Sequence, residues 1–377
     1  MIKAISNRTH RFFAYMKGET VLSIAWILAL LSMLAVRPDT NYSEYIDMHT
    51  LGLLFALMAV MAGLQGMGVF RRVAEMLLSR TRNSRQLEAV LIFLPFFSSM
   101  LVTNDVALIT FVPFALEVLP LAGLSGRIVA VVIMQTIAAN LGSMTTPVGN
   151  PQNLFLYSHF GLSMGDFFSA VLPLTVLSCF LLAAFVLLRR NEPVVVNSHS
   201  EAYPIKRSRL FMLLSLFVLC LCVVAKLIPL WIVCVLTIGA LFIWDRDALR
   251  GVDYSLLFTF VGFFIFVGNL GRIPAFTEFF NKLLAGNEVV CSVLLSQFIS
   301  NVPAALLLSG FTDSSRELLI GVNLGGLGTL IASMASLISY KYMARSYPKQ
   351  KIRYLLWFTV ANVLFLAILM AAWALLL

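Results

Sequence analysis

Charged residues divide this chain into long apolar segments. At least ten runs contain no Asp, Glu, Lys or Arg, and most of them are long enough to cross a hydrocarbon core, which takes about 20 residues. The pattern therefore predicts an all-α polytopic membrane protein. The runs are 21–36, 48–70, 128–165, 167–188, 210–225, 227–244, 254–271, 289–312, 318–340 and 354–377.

Two segments carry polar residues at their centres and are predicted to be re-entrant helical hairpins. Segment 89–116 has Asn104 and Asp105 in its middle, and segment 289–312 is centred on Ser300. Non-helical backbone is tolerated at membrane depth only where protein or a water-filled cavity satisfies its polar groups. Each hairpin is therefore expected to enter and leave the membrane on one side, with its tip buried in the protein.

Run 128–165 is too long for one plain span, because its 38 residues would form a helix of about 57 Å at about 1.5 Å per residue. Its centre, 140–153, is dense in Gly, Pro and side-chain amides. We therefore predict a broken helix, in which two half-helices are joined by unwound chain. Asn150 is expected to cap the second half-helix, with Pro151 at its first position.

The same order of elements recurs in the second half of the chain. Asp47 and Asp253 open similar apolar runs, and Asn140 and Asn323 each begin an Asn-Leu-Gly motif. Five predicted crossings separate the two aspartates, and this odd number makes the two copies inverted. Inverted repeats with broken helices are typical of secondary transporters. The predicted units are a first repeat with an N-terminal anchor helix (1–190), a cytoplasmic linker (191–209) and a second repeat (210–377).

The basic residues set the predicted orientation. The net charge is +9, yet only 12% of residues are charged. With about nine crossings plus two hairpins and a cytoplasmic N-terminus, 22 of the 27 Lys and Arg residues lie inside. Such a bias orients membrane proteins, so it predicts the lipid bilayer as a partner and no nucleic acid. The five outside are Arg37, Lys226, Arg272, Lys282 and Arg316.

No arrangement typical of catalysis is present. The sequence has no Ser/His/Asp set and no HExxH motif, and its five cysteines fall in apolar runs without ligand spacing. We therefore predict no enzyme activity, no metal site and no cofactor beyond a coupling ion. A channel or a polytopic membrane enzyme is less favoured than a carrier. The four histidines, His10, His49, His159 and His199, lie near predicted membrane edges or in loops.

Asp105 is the leading functional candidate. It is the only acid within a predicted intramembrane segment, where an ionised side chain costs on the order of 2.5–3.5 kcal/mol. Its counterpart in the second half is Val302, so a titrating site would be asymmetric. Asn104 and Asn301 are expected to cap the helices that follow the two tips. The alternative for all these residues is a purely structural role.

At the two breaks the alternatives also stay open. The cluster from Thr145 to Pro151 is expected to form the unwound part of a site, or else a proline-kinked helix packed by small residues. The second copy, 325–329, is glycine-rich and lacks proline, so helix packing through glycines is an equal alternative there. Segment 71–85 alternates basic and apolar residues, which favours an amphipathic helix on the inner surface.

Several of these motifs together resemble one known superfamily. They are Thr103-Asn104-Asp105 with Pro113, Asn140-Leu-Gly with Thr146-Pro147, and Ser300-Asn301-Val-Pro303. The pattern is similar to that of the ion-transporter superfamily of arsenite permeases, NhaD-type sodium/proton antiporters, and citrate and divalent-anion symporters. Divalent-anion symporters typically carry Ser-Asn-Thr at the second tip, so the valine of this chain is a departure.

The resemblance implies that the tips and broken helices hold the substrate and the coupling ion, in a homodimer with an elevator-like mechanism. It also implies a sodium site at Asn104, Asp105 and Thr146 if sodium is the coupling ion. The residues implicated by the resemblance are Thr103, Asn104, Asp105, Thr145, Thr146, Pro147, Ser300 and Asn301. The recurring motifs and breaks add Asn140, Asn150, Asn323 and Thr329.

The predicted function is ion-coupled secondary transport across the inner membrane, driven by protons or sodium. No Arg or Lys lies near the predicted midplane to neutralise a multivalent anion. The substrate is therefore expected to be a small oxyanion or carboxylate, arsenite-like or citrate- and dicarboxylate-like. A sodium/proton antiporter is the alternative.

Overall fold

The computed structural model of the chain describes residues 19–194 and 206–376. In these ranges the chain is helical or in turns, apart from one isolated bridge between Asn83 and Pro193. Four basic residues before the first apolar run, as well as His10, His199 and most of the predicted linker, lie outside the described residues.

The helices follow the predicted apolar runs. In the first half they are α1 (Thr20–Ala35), α2 (Tyr42–Tyr45), α3 (Met48–Gly66), α4 (Val69–Leu78), α5 (Ser84–Ser98), α6 (Asn104–Leu121), α7 (Ile128–Ser143), α8 (Pro151–His159) and α9 (Met164–Leu188). In the second half they are α10 (Arg207–Val224), α11 (Leu230–Trp244), α12 (Arg246–Arg250), α13 (Tyr254–Gly271), α14 (Pro274–Leu284), α15 (Glu288–Ile299), α16 (Asn301–Ser309), α17 (Ser315–Leu324), α18 (Met334–Ser346) and α19 (Lys351–Leu376).

Among the described residues, seven helices are long and apolar enough to cross a membrane: α3, α6, α7 with its preceding turn, α9, α10, α13, and α19 with its preceding turn. The shorter helices α1 and α11 are also apolar, and α14 with α15 would form one span bent by 113°. The prediction of an all-α polytopic membrane protein is confirmed. The total of about nine crossings and the re-entrant course of the hairpins stay predictions.

Both predicted breaks are present. The first lies between α7 and α8 and contains a short 3-10 turn, Pro147–Gly149. Asn150 caps α8 as predicted, because its Oδ1 accepts a hydrogen bond of 2.9 Å from the amide of Asn153. The chain folds back so closely that a Cβ on Gly149 would lie 2.1 Å from the carbonyl oxygen of Ser143. The second break separates α17 from α18.

The capping predicted for the two hairpin tips is wrong in detail. Helix α6 begins at Asn104 and α16 begins at Asn301, so Thr103 and Ser300 occupy the N-cap positions. Each Asn therefore lies in the first turn of its helix, one residue after the N-cap. Asn104 Oδ1 accepts a hydrogen bond of 3.0 Å from the amide of Asp105, one of the free amides of the helix end. The Nδ2 of Asn104 donates a hydrogen bond of 3.0 Å to Asn140 Oδ1 on α7.

Helix α7 lies at the centre of the protein, and nearly all of its side chains are buried. Gln135 on α7 donates a hydrogen bond of 2.9 Å to the carbonyl oxygen of Leu91 in α5. That carbonyl lacks its usual partner because Pro95, four residues later, has no N–H. A Cβ on Gly142 would lie 2.0 Å from the carbonyl oxygen of Phe96, so glycine allows the close approach of α5 and α7.

The two halves begin their main spans in the same way. Asp47 caps α3 by accepting a hydrogen bond of 2.9 Å from Thr50 N, and Asp253 caps α13 through an equal bond of 2.9 Å from Leu256 N. Each cap reaches three residues along the chain, as an N-cap side chain does. The two aspartates paired by sequence pattern therefore have the same local structure.

Candidate functional site

The first broken helix contacts the second through Asn140, which is 5% exposed. Its Oδ1 accepts hydrogen bonds from Asn104 Nδ2 at 3.0 Å and from Ser333 Oγ at 3.1 Å, and its Nδ2 lies 3.5 Å from Ser336 Oγ. Asn140 thus joins the tip of the first hairpin to the break of the second half. Because a buried amide without partners costs about 1–3 kcal/mol, this bonding fixes the three elements together.

Asn323 makes the reciprocal contacts. Its Oδ1 accepts from Asn150 Nδ2 at 3.2 Å, and its Nδ2 donates to Asn153 Oδ1 at 2.7 Å. Asn323 lies 183 residues after Asn140, and the two serines that Asn140 contacts lie 183 residues after Asn150 and Asn153. Each broken helix therefore offers an Asn to the same positions of the other. This exchange is what two related halves facing each other would produce.

A cavity of about 150 Å³ lies beside the first tip. Its walls come from α3, from the tip before α6, from the start of α8 and from the segment that leads into α13. Most of its lining is apolar, and no Lys or Arg is among the described residues that form it. The polar lining residues are Gln65, Thr103, Asp105, Asn150 and Asp253.

Asp105 is the most unusual group in this cavity. Its Oδ1 is buried and has no hydrogen-bond partner within residues 19–194 and 206–376. Asp253 also lines the cavity, and its Oδ1 accepts the capping hydrogen bond from Leu256 N. An unpaired acceptor in a buried site is costly, which makes Asp105 the leading candidate for a functional group in this cavity.

Three helices point their N-termini at the cavity. Asp105 lies in the first turn of α6, Pro151 is the first residue of α8, and Asp253 caps α13; all three line the cavity. Helix N-termini carry a partial positive charge of about half an elementary charge. These ends offset the two carboxylates, so the cavity as a whole is polarised without containing a basic side chain.

A second cavity, of about 260 Å³, adjoins the first and shares Gln65 and Ile109 with it. Its outer wall includes Arg71 on α4 and Glu117 on α6, which form a 3.3 Å ion pair. Both side chains are more than half exposed. The second cavity therefore lies between the exposed Arg71–Glu117 pair and the cavity that contains Asp105.

The structure divides the predicted site residues into two groups. Around the first tip, Thr103, Asp105 and Asn150 line the cavity, while Asn104, Asn140 and Asn323 form the amide network behind it. Of the three predicted sodium ligands, only Asp105 lines the cavity. Pro147 opens the 3-10 turn, and Thr145 and Thr146 donate hydrogen bonds to the carbonyl oxygens of Gly142 and Met100.

The second group lies at the second tip. Ser300, Asn301 and Thr329 are at the second break, where the amide of Asn301 donates a 3.0 Å bond to Ala332 O. Ser300 has φ +75° and ψ 154°, a backbone conformation that is nearly restricted to glycine. Such strain costs on the order of 1–3 kcal/mol and is found where surrounding structure imposes it.

Two amides that close the helix breaks were missed by sequence reasoning. Asn153 Nδ2 lies within 3.3 Å of three carbonyl oxygens of the first break, and Gln297 Nε2 lies within 3.1 Å of three oxygens around the second. In the sequence, the signal that could have identified Gln297 is that it is an isolated amide in the apolar arm before the second tip.

A buried ion cluster was also missed. The side chain of Glu88 on α5 is fully buried and pairs with Arg127 at 2.8 Å and with Arg189 at 3.3 Å. Arg127 also pairs with Glu192 at 3.1 Å. The cluster joins the first hairpin arm to the start of α7 and the end of α9.

In the described parts of the chain, no group of three or more His, Cys, Asp or Glu side chains is placed to hold a metal ion.

Comparison with known families agrees with this architecture. The sequence model described as "Citrate transporter" matches residues 9–317, which is most of the chain. The chain belongs to the citrate transporter family. It is a multi-pass membrane transporter, and the prediction of a transporter rather than an enzyme is confirmed.

Individual proteins are similar in sequence to this chain. An uncharacterized transporter of Methanocaldococcus jannaschii is 29% identical over 86% of this chain and 90% of its own length. Inner membrane protein YbiR of Escherichia coli is 27% identical over 88% of this chain and 89% of its own. Silicon efflux transporter LSI3 of Oryza sativa subsp. japonica is 30% identical over 41% of this chain and 32% of its own.

The fold has a solved counterpart. The YdaH transporter of Alcanivorax borkumensis, described as having an unusual topology, matches with a TM-score of 0.57 over 92% of this chain and 89% of that chain. The sequence identity is 13%, so this likeness shows the fold alone.

Proposed function

We propose that the protein is an ion-coupled secondary transporter of a small oxyacid, oxyanion or carboxylate, and that its substrate binds in the cavity at the first tip. The observation that carries the proposal is the buried, unpartnered oxygen of Asp105 in a cavity formed where a hairpin tip meets a broken helix. Sites of this construction serve substrates and coupling ions in inverted-repeat transporters.

The cavity favours a weakly charged substrate. Two carboxylates and no basic side chain belong to its described lining, so a multivalent anion would be repelled unless cations accompanied it. The helix N-termini suit a single negative charge or the oxygens of a neutral acid. The printed name of the rice relative, a silicon efflux transporter, supports an oxyacid as the first substrate class to test.

A sodium/proton antiporter is the second candidate. Asp105 and Asp253 face one cavity, and two carboxylates without a basic partner are a favourable setting for a cation. The antiporter would use the same cavity for sodium and protons in turn, without an organic or oxyacid substrate.

The proposal includes two inverted repeats, 1–190 and 210–377, in the inner membrane. The reciprocal bonds of Asn140 and Asn323 and the matching caps of Asp47 and Asp253 support the repeats. The inner membrane location is supported by the name of the Escherichia coli relative.

The test is transport into proteoliposomes with arsenite, silicic acid, citrate and succinate as substrates, each under an imposed proton or sodium gradient. The wild-type protein is expected to show saturable, gradient-driven uptake or exchange of one substrate class. Asp105→Asn is expected to lose gradient-driven transport while it still inserts and folds. Asp247→Asn is the matched control, because the Asp247 side chain is 85% exposed, and its transport should equal that of the wild type.

Three outcomes would contradict parts of this proposal. Sodium/proton exchange without movement of any of the four substrates would establish the antiporter. Gradient-driven transport by Asp105→Asn at the wild-type rate would remove Asp105 from the coupling site. Flux that neither saturates nor depends on a gradient would identify a channel.

A further inference from the structure

At the second helix break, three main-chain carbonyl oxygens surround the nitrogen of one side-chain amide, two of them from the break and one from α15, the helix that carries the amide. Nε2 of Gln297 lies 3.0 Å from Val293 O, 3.1 Å from Gly325 O and 3.0 Å from Leu327 O. An amide nitrogen has only two hydrogens, so it cannot make three full hydrogen bonds at once. The surroundings of Nε2 therefore contain more acceptors than the amide can satisfy.

The first break repeats this arrangement. Nδ2 of Asn153 lies 3.3 Å from Ser143 O, 3.2 Å from Met144 O and 3.2 Å from Thr146 O. Ser143 is the last residue of α7, so these carbonyls are at the negative end of a half-helix. Unwound carbonyls and half-helix C-termini are the groups that coordinate sodium or protons in transporters with broken helices.

The backbone of the second break is shaped around Gln297. Oε1 of Gln297 accepts a 2.9 Å hydrogen bond from Thr329 N, which fixes the orientation of the amide. Gly328 has φ +109°, and a Cβ at this position would lie 2.2 Å from the same Oε1. Only a glycine leaves room for the amide here. The side chain is thus held in place from both sides, with its nitrogen directed at the carbonyls.

We propose that Gln297 is a specificity-determining residue whose amide nitrogen occupies a cation position and so excludes sodium from the second break. Asn153 fills the corresponding position in the first break. The proposal rests on the proposed function in one respect, that these breaks belong to an ion-coupled carrier. With both carbonyl sets occupied by the chain itself, the coupling ion is left to the cavity that contains Asp105.

The test is an isosteric substitution that removes the internal occupant. Gln297→Glu keeps the side-chain shape and the acceptor for Thr329 N–H, but it turns an oxygen towards the three carbonyls in place of the nitrogen. Without a cation this arrangement is repulsive. We expect the variant to melt at a lower temperature than the wild type in choline chloride at alkaline pH, and sodium near saturation to raise its Tm by about 5 °C. The wild-type Tm is expected to be unaffected by sodium.

Gln135→Glu is the matched control. Gln135 is more deeply buried than Gln297, which is partly exposed, and its amide also donates to main-chain carbonyls, but within intact helices rather than at a break. It is expected to lose stability without recovery in sodium. All measurements are made on the full-length purified protein at constant ionic strength. If Gln297→Glu does not fold, Gln297→Ala replaces it, because the shorter side chain also opens the carbonyls to sodium.

Sodium stabilisation of the wild type equal to that of the variant would overturn the proposal, because the break would then already admit sodium. Equal insensitivity of the variants at position 297 would also overturn it, because the position would not accept a cation. These are binding measurements. Their failure leaves the transport test with Asp105→Asn unaffected, and failure of that test leaves the binding result standing.

Discussion

Glu88 offers the sharpest test of how the first hairpin is held. Its side chain is fully buried and pairs with Arg127 and Arg189, whose side chains are 12% and 31% exposed. Removing one partner from a buried ion pair costs about 3–5 kcal/mol because it leaves an uncompensated charge. Arg127 keeps its contact with Glu192, and Arg189 reaches solvent, so the lower end, about 3 kcal/mol, is expected for Glu88→Gln.

The assay is thermal and denaturant unfolding of the purified protein in detergent, followed by a double-mutant cycle with Arg127→Met. Glu117→Gln is the matched control, because Glu117 pairs with Arg71 at the surface, where such a pair contributes about 0–1 kcal/mol. The double variant should lose less stability than the sum of the two single variants, because neither Glu88 nor Arg127 then remains as a charge without its partner. The reasoning is refuted if Glu88→Gln loses no more stability than Glu117→Gln, or if the cycle shows no coupling.

Three further substitutions test the packing and the amide network, each by unfolding in detergent. Gly142→Ala should destabilise by about 1–3 kcal/mol, because its Cβ would lie 2.0 Å from Phe96 O; an unchanged Tm would contradict the close approach of these helices. Asn323→Ala should lower the free energy of unfolding by about 1–3 kcal/mol, because it leaves Asn153 Oδ1 without its donor at 2.7 Å. A smaller loss of stability than that of an exposed Asn→Ala variant would argue against the amide network. Ser300→Gly should stabilise by up to about 1 kcal/mol by relieving the strain at φ +75°, whereas Ser300→Ala should not; equal effects of the two would show that the backbone is unstrained.

Much of the fold followed from local pattern. The spans were predicted because an apolar run of about 20 residues is stable in a bilayer as a membrane-spanning helix. The breaks were predicted because Gly, Pro and side-chain amides destabilise such a helix. The caps at Asp47, Asp253 and Asn150 follow a three-residue geometry that is contained within one turn of chain. The family resemblance rested on the same short motifs, and the family match confirmed it.

The first hairpin tip shows where local pattern was insufficient. Asn is a favoured cap in any sequence, so a cap was predicted for Asn104. Its Oδ1 does accept the neighbouring amide of Asp105, but its Nδ2 donates to Asn140, which is 36 residues away. Whether such an amide also bridges to another helix depends on which groups the fold brings near it. The sequence identified the residue but not its long-range partner.

Taken by itself, the sequence determined which segments form the apolar helices and where the two polar breaks interrupt them, because both depend on neighbouring residues and on the solvent. Tertiary structure alone decided which distant groups meet: Glu88 with Arg127, Asn323 with Asn153, and Gln297 with the carbonyls of the second break. These pairings join residues 28 or more positions apart, so no periodicity or spacing along the chain encodes them; they arise only when the two breaks and the hairpins are packed against one another.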